Sequence, residues 1–268
     1  MPCMACELKV SQMNILVCVK RVPATGSKIV LTADSQDIDT RYLGFTISPH
    51  EECAVEEAVR IVEAHGGGST VLTLGPEPAA EQLRDAMALG IDSAILLETD
   101  GREWDPGATA GAIVDIVRRQ QAAGKGFDLI FFGNEAADTG GYQTGVRVAN
   151  ALDWPCITGI KELKLNGTTL TAGREAGGGR ELYTLTLPAV VTVKEGINLP
   201  RYPSLPGRLK AKKKPLERVQ PSWPGNMLEK VRLKLPSEAA HQVEILGRGP
   251  EAAARAVEVF CSLGILER

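Results

Sequence analysis

The sequence predicts an α/β protein built on a doubly wound, mostly parallel, Rossmann-like sheet, with an antiparallel hairpin insertion and a C-terminal arm. Two observations carry this prediction. In the first 155 residues, apolar runs of strand length alternate with segments of helical periodicity, an order typical of parallel strands joined by right-handed crossovers. After Trp154-Pro155 the pattern changes to polar and apolar alternation with glycine turns, which indicates antiparallel pairing.

The alternation begins with a strand that opens near Met13. Apolar residues of the next element fall on one helical face, and the glycines at 66–68 end that helix. Asp105 and Pro106 suit the N-cap and first position of a later helix. In chain order we expect a strand at 14–19, a helix at 51–64, a strand at 70–74, a helix at 79–89, a strand at 94–97, a helix from 105, a strand at 129–132 and a helix at 142–152.

The second half of the chain predicts different elements. Residues 163–170 form a hairpin pattern with Asn166-Gly167 as its turn. Prolines and apolar residues without a clear period follow residue 215, so we expect an arm that packs on another subunit. The remaining expectations are a third antiparallel strand at 181–187, a buried strand at 189–193, a proline-rich loop at 200–206 and a short helix at 251–263. The predicted organisation is a dispensable extension at 1–12, an α/β domain at 13–215 and the arm at 216–268.

Composition excludes several classes of function. The net charge of −3 gives no general attraction to nucleic acid, and aromatic residues at 4% argue against stacking on single strands. The longest apolar runs are strand-sized, whereas a membrane span needs roughly 20 apolar residues, so we expect a protein that is not membrane-embedded. Six scattered cysteines in a chain of 268 residues predict reduced thiols and a cytoplasmic location.

The most informative segment is the glycine-rich loop at 133–145, between an apolar strand at 128–132 and a helix start. Small residues let the backbone approach an anion, and the free N–H groups of the next helix face it. The loop lacks the Gly-Lys-Ser/Thr of a Walker A motif and the spacing of a dinucleotide fingerprint. A mononucleotide or the diphosphate of a flavin remains possible. Strand order would bring Cys18 and Leu74 to the same crevice.

No set of residues predicts catalysis or a metal centre. Cys3 and Cys6 form a Cys-x-x-Cys, but no second pair completes a tetrahedral site. The histidines have no neighbours that suggest a triad. We therefore expect no catalytic residue and no metal site, and we interpret the lysine run at 210–214 as a solvated patch that steers an acidic partner rather than a nucleic-acid site.

Seven blocks in the right order resemble the β subunit of electron transfer flavoprotein, from about Met13 to Leu266. The matching blocks are residues 19–22, 54–60, 143–145, 152–155, 174–175, 187–192 and 201–206 with 209–214. The resemblance implies one half of a heterodimer in which the α subunit holds the redox-active FAD and this chain binds a structural AMP. The fold class is then an adenine-nucleotide-binding one.

The resemblance also implies the nucleotide ligands, since the family's AMP positions match residues of the crevice. These positions are Cys18, Ser48, Pro49, His50, Glu51, Leu74, Gly133, Asn134, Glu135, Ala136, Ala137, Asp138, Thr139, Gly140, Gly141, Tyr142, Gln143 and Thr144. From the residues alone, Asp138, Gln143 and Thr144 suit either phosphate and ribose binding or helix capping.

Partner docking follows from the same resemblance. The loop centred on Leu205, with Tyr202 beside it, matches the recognition loop that docks on acyl-CoA dehydrogenases, and Glu175 matches a position near the flavin interface. Electrons would pass on to a membrane quinone oxidoreductase. Leu205 stands between prolines in a predicted loop, where such an apolar side chain is more often an exposed interface anchor than a residue of the hydrophobic core.

The chain departs from the family pattern at several positions. Ser48-Pro49 stands where Asn-Pro is usual, Ala24 stands where many bacterial members have Asp, and Gly177 and Tyr183 replace signature residues. An electron-bifurcating relative, with a second FAD in place of AMP and NADH as the hydride donor, is the alternative. Its usual loop sequence is absent, and Tyr142 would crowd a larger ligand. A third alternative is a free nucleotide-binding domain of the stress-protein type. It would leave the Leu205 loop and the arm without a function.

Overall fold

The computed structural model describes residues 12–24, 26, 28–236 and 244–266, and it confirms the α/β class. The strands are β1 Met13–Cys18, β2 Val22–Pro23, β3 Phe45–Thr46, β4 Gly67–Gly75, β5 Ser93–Glu98, β6 Leu129–Gly133, β7 Cys156–Ile160, β8 Glu162–Asn166, β9 Thr169–Ala176, β10 Gly179–Thr186, β11 Ala189–Val193 and β12 Leu216–Val219. The helices are α1 Pro49–His65, α2 Ala80–Leu89, α3 Pro106–Ala122, α4 Thr144–Leu152, α5 Leu205–Ala211 and α6 Ala252–Ser262.

Seven parallel strands form the main sheet in the order β12-β5-β4-β1-β6-β11-β7. The chain moves from β1 outward to β4 and β5 and then crosses back, so that β6 pairs with the other side of β1. In this register Cys18 lies beside Phe132. The strand order therefore reverses between β1 and β6, which is where a doubly wound sheet opens a crevice at its carboxyl edge.

Helices cover both faces of the sheet. Side chains of α1 and α2 pack with Ile15, Val17 and Phe131 on one face. Those of α3 and α4 pack with Leu16 and Ile130 on the other. Because both faces are buried, the central strands are almost continuously apolar, as parallel strands require.

Side-chain caps begin the first two long helices, and of these the sequence predicted the one at Asp105. Ser48 caps α1 in a capping box with Glu51, and Pro49 occupies the first helical position. Asp105 caps α3 through the N–H of Ala108 at 2.7 Å, with Pro106 following it.

The antiparallel insertion is a second sheet in the order β10-β9-β8, which packs on the α1 side of the core through Leu170 and Ala172. Its first turn differs from the predicted Asn-Gly turn, because Asn166 pairs with Thr169 and the loop is Gly167-Thr168. Gly167 has a φ of 60°, and glycine at the first of two loop positions is the type II′ pattern.

The chain divides into two compact units, one containing residues 39–230 with the described part of 1–30, the other containing 31–38 and the described part of 231–268. In the first unit, β12 adds the first four residues of the predicted arm to the sheet edge beside β5. In the second unit, the N–H of Leu233 donates to the carbonyl of Ser35 at 2.8 Å, and Leu31 and Ile38 form an isolated antiparallel β-bridge. None of the described helices has the length and hydropathy of a membrane span.

Candidate functional site

The crevice at the switch point begins with the last residues of β1 and β6. Cys18 ends β1 and is buried, and burial followed by the nearby Glu51 raises the pKa of its thiol. The thiol therefore stays neutral and acts as packing rather than as a nucleophile. Gly133 ends β6 and lies directly against α1, since a Cβ there would stand 2.7 Å from Glu51 Cγ. Only glycine allows this approach.

Glu51 holds the start of α1 to the segment after β1. Its two carboxyl oxygens accept the N–H of Lys20 at 3.0 Å and the N–H of Ser48 at 2.9 Å, while its own N–H donates to Ser48 Oγ at 3.2 Å. Burial raises the pKa of this carboxyl to about 8, against the opposing effect of the two N–H donors. The raised pKa favours the neutral form of the carboxyl, which would not repel an anion in the crevice.

Asn134, the first residue after β6, is held by hydrogen bonds to the neighbouring strand β11. Its N–H donates to the carbonyl of Val193 at 2.9 Å, and its Oδ1 accepts the hydroxyl of Thr192 at 3.0 Å. Thr192 Oγ1 in turn accepts the N–H of Gly159 at 2.9 Å. These bonds join the glycine-rich loop to β11 and β7, so the loop has a rigid base.

Two side-chain contacts cross the mouth of the crevice, one of them a lysine–carboxylate ion pair. Lys20 Nζ lies 2.7 Å from Asp138 Oδ2, and His50 Nε2 lies 3.4 Å from Glu135 Oε1. His50 Nδ1 accepts the N–H of Glu195 at 2.8 Å, so the proton of the neutral ring is on Nε2 and points at Glu135. The hydroxyl of Tyr142 also bonds Glu135, which raises the pKa of that phenol.

The start of α4 differs from the starts of α1 and α3. Its N-cap residue, Gln143, makes no capping hydrogen bond and instead accepts Arg147 at 3.0 Å. Since the first N–H groups of a helix have no partner within it, those of Thr144 and Gly145 are available to an external acceptor. The predicted helix start at Tyr142 moves to Thr144 because Tyr142 has a φ of 54°, outside the helical range.

The other predicted nucleotide positions lie around this centre. Leu74 stands one residue before the end of β4 and packs against the α3 side of the core. The loop closes on itself through the N–H of Gly140, which donates to the carbonyl of Ala136 at 3.0 Å. Ala137, Thr139 and Gly141 lie in the same loop, and Thr139 donates its N–H to Asp138 at 2.8 Å.

Sequence reasoning missed three residues that shape the crevice: Lys20, Thr192 and Glu195. Lys20 carries the one signal that was available, because it is the second residue after a strand that ends at the crevice. Thr192 sits inside an apolar run, and Glu195 contributes only its backbone N–H. No sequence pattern identifies either contact.

The positions predicted to dock a partner lie elsewhere in the first unit. Tyr202 is 96% exposed and Leu205 is 73% exposed, and Leu205 is the first residue of α5 rather than part of an irregular loop. Glu175 lies on β9 of the hairpin sheet, where it is exposed and pairs with Lys161 at 2.9 Å.

Within the part of the chain that the structure describes, no three acidic, histidine or cysteine side chains are placed to hold a metal ion. The Cys3 and Cys6 pair and the extension at 1–12, apart from Gln12, lie outside the described residues. Cys18, Cys53, Cys156 and Cys261 are free thiols.

The fold and the crevice together define a doubly wound α/β domain with a glycine-rich loop and an uncapped helix start at the switch point. Residues 37–223 match the family model described as the electron transfer flavoprotein domain. The chain therefore belongs to the electron transfer flavoprotein family, and the resemblance of its sequence blocks to the β subunit is confirmed.

Individual relatives agree with this assignment. The chain is 43% identical over 211 residues to the electron transfer flavoprotein subunit beta of Bacillus subtilis, covering 78% of this chain and 79% of the relative. It is 35% identical over 215 residues to the human subunit beta, covering 79% and 82%, and 35% identical over 207 residues to that of Bradyrhizobium diazoefficiens, covering 76% and 80%. Its role is accordingly in electron transfer.

Proposed function

We propose that this chain is the β subunit of a cytoplasmic heterodimer that accepts electrons from acyl-CoA-type dehydrogenases and delivers them to a membrane quinone oxidoreductase. The relatives are named as subunits beta, which supports an α partner. FAD, held mainly by that α subunit, supplies the electron-carrying chemistry. This chain contributes a nucleotide crevice and a docking surface, and it has no catalytic residue of its own.

The crevice is proposed to hold one AMP as a structural ligand. The observation that supports this most is the uncapped start of α4 at the switch point, because its N–H groups and helix dipole favour a phosphate. The raised pKa of Glu51 favours its neutral form, and Lys20 lies beside the loop, where it pairs with Asp138. Gly141 leaves the backbone accessible, since among the described residues not adjacent to it only Thr139 Oγ1 lies within 4 Å of where a Cβ would stand.

Counting released nucleotides tests the crevice. The chain is purified with its α partner, and FAD and AMP are measured per heterodimer after denaturation. We expect one FAD and one AMP. Two FAD and no AMP would support the electron-bifurcating alternative, and no AMP with one FAD would refute nucleotide binding by this chain.

A matched pair of variants locates the ligand. Gln143→Asp places at α4 the same kind of cap that Asp105 gives α3, so it occupies the N–H groups and repels phosphate. Gln143→Ala leaves those groups free. We expect AMP content to fall well below one in Gln143→Asp and to fall less in Gln143→Ala. Equal AMP content in the two variants would show that the phosphate lies elsewhere.

The docking surface is proposed to be Tyr202, Leu205 and their lysine-rich surroundings at Lys210, Lys212 and Lys213, with Glu175 acting on partner release. Exposed apolar anchors dominate many interfaces, and surrounding positive charge would steer an acidic partner. Leu205→Ala should lower the affinity for the dehydrogenase roughly 5- to 150-fold.

The control for this variant is Leu182→Ala, an exposed leucine on β10. The apparent KM of the dehydrogenase for the flavoprotein should rise only in Leu205→Ala, with the flavin spectrum and AMP content unchanged. Unchanged kinetics together with a large loss of thermal stability would make Leu205 a core residue and refute the docking role. We also propose that residues 1–12 are dispensable for both assembly and nucleotide content.

A further inference from the structure

Residues 197–204, termed the strap, run across α1 to the start of α5 and carry the exposed Tyr202. Asn198 fixes the first part of the strap. Its Nδ2 donates to the carbonyl of Cys53 at 3.0 Å and to Glu57 Oε2 at 2.9 Å, both on α1. The strap is therefore attached to the helix before the docking residues begin.

Arg201 makes the stronger attachment, one residue before Tyr202. Its guanidinium donates to both oxygens of Glu56 at 2.9 and 3.1 Å and to both oxygens of Glu63 at 2.7 and 2.9 Å. Its backbone N–H also donates to Glu56 at 3.1 Å. Planar, two-pronged pairing of this kind fixes orientation as well as distance.

Glu56 is suited to this role because only 3% of its side chain is exposed. Burial alone would raise the pKa of this carboxyl, but the hydrogen bonds from Arg201 and Arg60 together outweigh it and lower the pKa. The carboxylate is therefore ionised and largely shielded from water, where charge-assisted bonds are stronger than at an open surface.

The far end of the strap is fixed on α2. Ser204 caps α5 by accepting the N–H of Gly207 at 3.1 Å. A Cβ at Gly207 would stand 2.5 Å from the carbonyl oxygen of Ala88, so the start of α5 sits directly on the end of α2. Tyr202 and Leu205 thus project from a segment that two different helices hold, one at each end.

From this geometry we infer that Arg201 is a positioning residue for partner docking, because its fork on Glu56 and Glu63 holds Tyr202 and Leu205 in the conformation that a dehydrogenase binds. The inference rests on the proposed docking function. Holding a binding segment in its bound form lowers the entropy lost on association. Loss of the fork would therefore weaken docking even though Arg201 itself need not touch the partner.

The test uses the heterodimer with its FAD and an acyl-CoA dehydrogenase as the electron donor. Arg201→Ala removes the fork, whereas Arg60→Ala is the matched control, since Arg60 lies on α1 and its described hydrogen bond and ion pair, at 2.8 Å, go to Glu56 rather than to the strap. In each variant one arginine remains on Glu56, so the buried charge is never left unpaired. Arg201→Lys and Leu205→Ala complete the set.

We expect the apparent KM for the flavoprotein to rise about tenfold in Arg201→Ala, a change of about 1.4 kcal/mol, with kcat and the flavin spectrum unchanged. Arg60→Ala should match the wild type, and Arg201→Lys should recover part of the loss. Hydrogen exchange should increase in peptides that cover 197–204 in Arg201→Ala alone.

Three outcomes would overturn the inference in distinguishable ways. If Leu205→Ala raises KM and Arg201→Ala does not, the docking function stands and the positioning role is wrong. If Leu205→Ala itself has no effect, the docking function fails and the inference fails with it. An equal rise in Arg60→Ala and Arg201→Ala would assign the effect to the stability of α1.

Discussion

Glu51 shows how a single buried residue connects the crevice to the stability of the fold. Its carboxyl joins the N–H groups of Lys20 and Ser48, and Gly133 closes the space beside it. Burial raises its pKa to about 8, from a reference value of 4.5. Between these two values the folded protein binds more protons than the unfolded chain, so the free energy of unfolding falls as pH rises.

The variant Glu51→Gln tests this predicted dependence of the free energy of unfolding on pH. In the wild type, the site should contribute a decline in the free energy of unfolding between pH 5 and pH 8, of up to about 1.4 kcal/mol per pH unit. Glutamine does not titrate, so the variant should lose that part of the slope. Urea unfolding of the heterodimer from pH 5 to pH 9 measures it.

The control is Glu217→Gln, an exposed glutamate on β12 that pairs with Arg119. It should keep the wild-type slope. If Glu51→Gln also keeps the full decline, Glu51 is ionised in the folded protein across this range, and the neutral carboxyl proposed for the crevice is wrong.

At the residue scale, the sequence predicted positions better than contacts. Strand order alone brings Cys18 and Gly133 to one edge, because parallel strands end on the same side, and the register confirms it. The partners of His50 and Asn134 lie about 145 and 58 residues away along the chain. Such pairings depend on the packing of β11 and could not be derived from local spacing.

At the scale of elements, the lysine run divides into two roles. Lys210, Lys212 and Lys213 are exposed, but Lys214 is half-buried and donates to the carbonyls of Met87, Gly90 and Ile91 at 3.0, 3.2 and 2.6 Å. These carbonyls lie at and just beyond the end of α2, so Lys214 caps that helix. Its positive charge also interacts favourably with the negative end of the helix dipole.

Lys214→Met should therefore destabilise the protein, whereas Lys212→Met should not. Methionine keeps the apolar stem but removes the ammonium donor shared by the three carbonyls, and we expect a loss of about 1 to 3 kcal/mol in the free energy of unfolding. The exposed Lys212 should change it by less than about 0.5 kcal/mol. Thermal and urea unfolding measure both variants. Equal effects would show that Lys214 does not cap α2 and is part of the solvated lysine run, as the sequence predicted.

Element boundaries were predictable where the chemistry is local. The Asp105 cap and the buried strand at 189–193 follow from residues close together in the chain, and the predicted start of the first helix at 51 lies two residues after the observed start at Pro49. The start of α4 and the hairpin turn were misplaced because each depends on one backbone angle, at Tyr142 and at Gly167. A glycine or tyrosine in the sequence does not by itself reveal which residue takes the left-handed conformation.

At the scale of the whole molecule, Asp105 joins the end of the first unit to the start of α3. Besides capping α3, its Oδ2 accepts the N–H groups of Met227 and Leu228 at 2.6 and 3.0 Å, and its own N–H donates to Asn226 Oδ1 at 3.0 Å. The sequence predicted the cap but not this second use of the carboxylate. Residues 226–228 therefore belong to the first unit rather than to a detached arm.

The second unit, taken by itself, has the surface of a binding segment. None of the residues of α6 is buried, and the exposed large apolar residues of its described part are Val231, Leu235, Ile245, Val257, Val259, Phe260, Leu263, Ile265 and Leu266. An apolar set of this size is unusual for a surface that faces water alone.

We therefore predict that the isolated chain self-associates and that the α subunit prevents this. A large apolar surface favours association with whichever protein is present, and burial against the correct partner stabilises the complex by mass action. Light scattering coupled to size-exclusion chromatography should show aggregates or a concentration-dependent mass for the chain alone and one defined heterodimer after coexpression. Phe260→Ser with Leu263→Ser should reduce self-association and weaken α-subunit binding together, while Tyr42→Ser, an exposed aromatic of the first unit, should change neither. A monodisperse monomer of the unmodified chain at micromolar concentration would show that these residues need no partner.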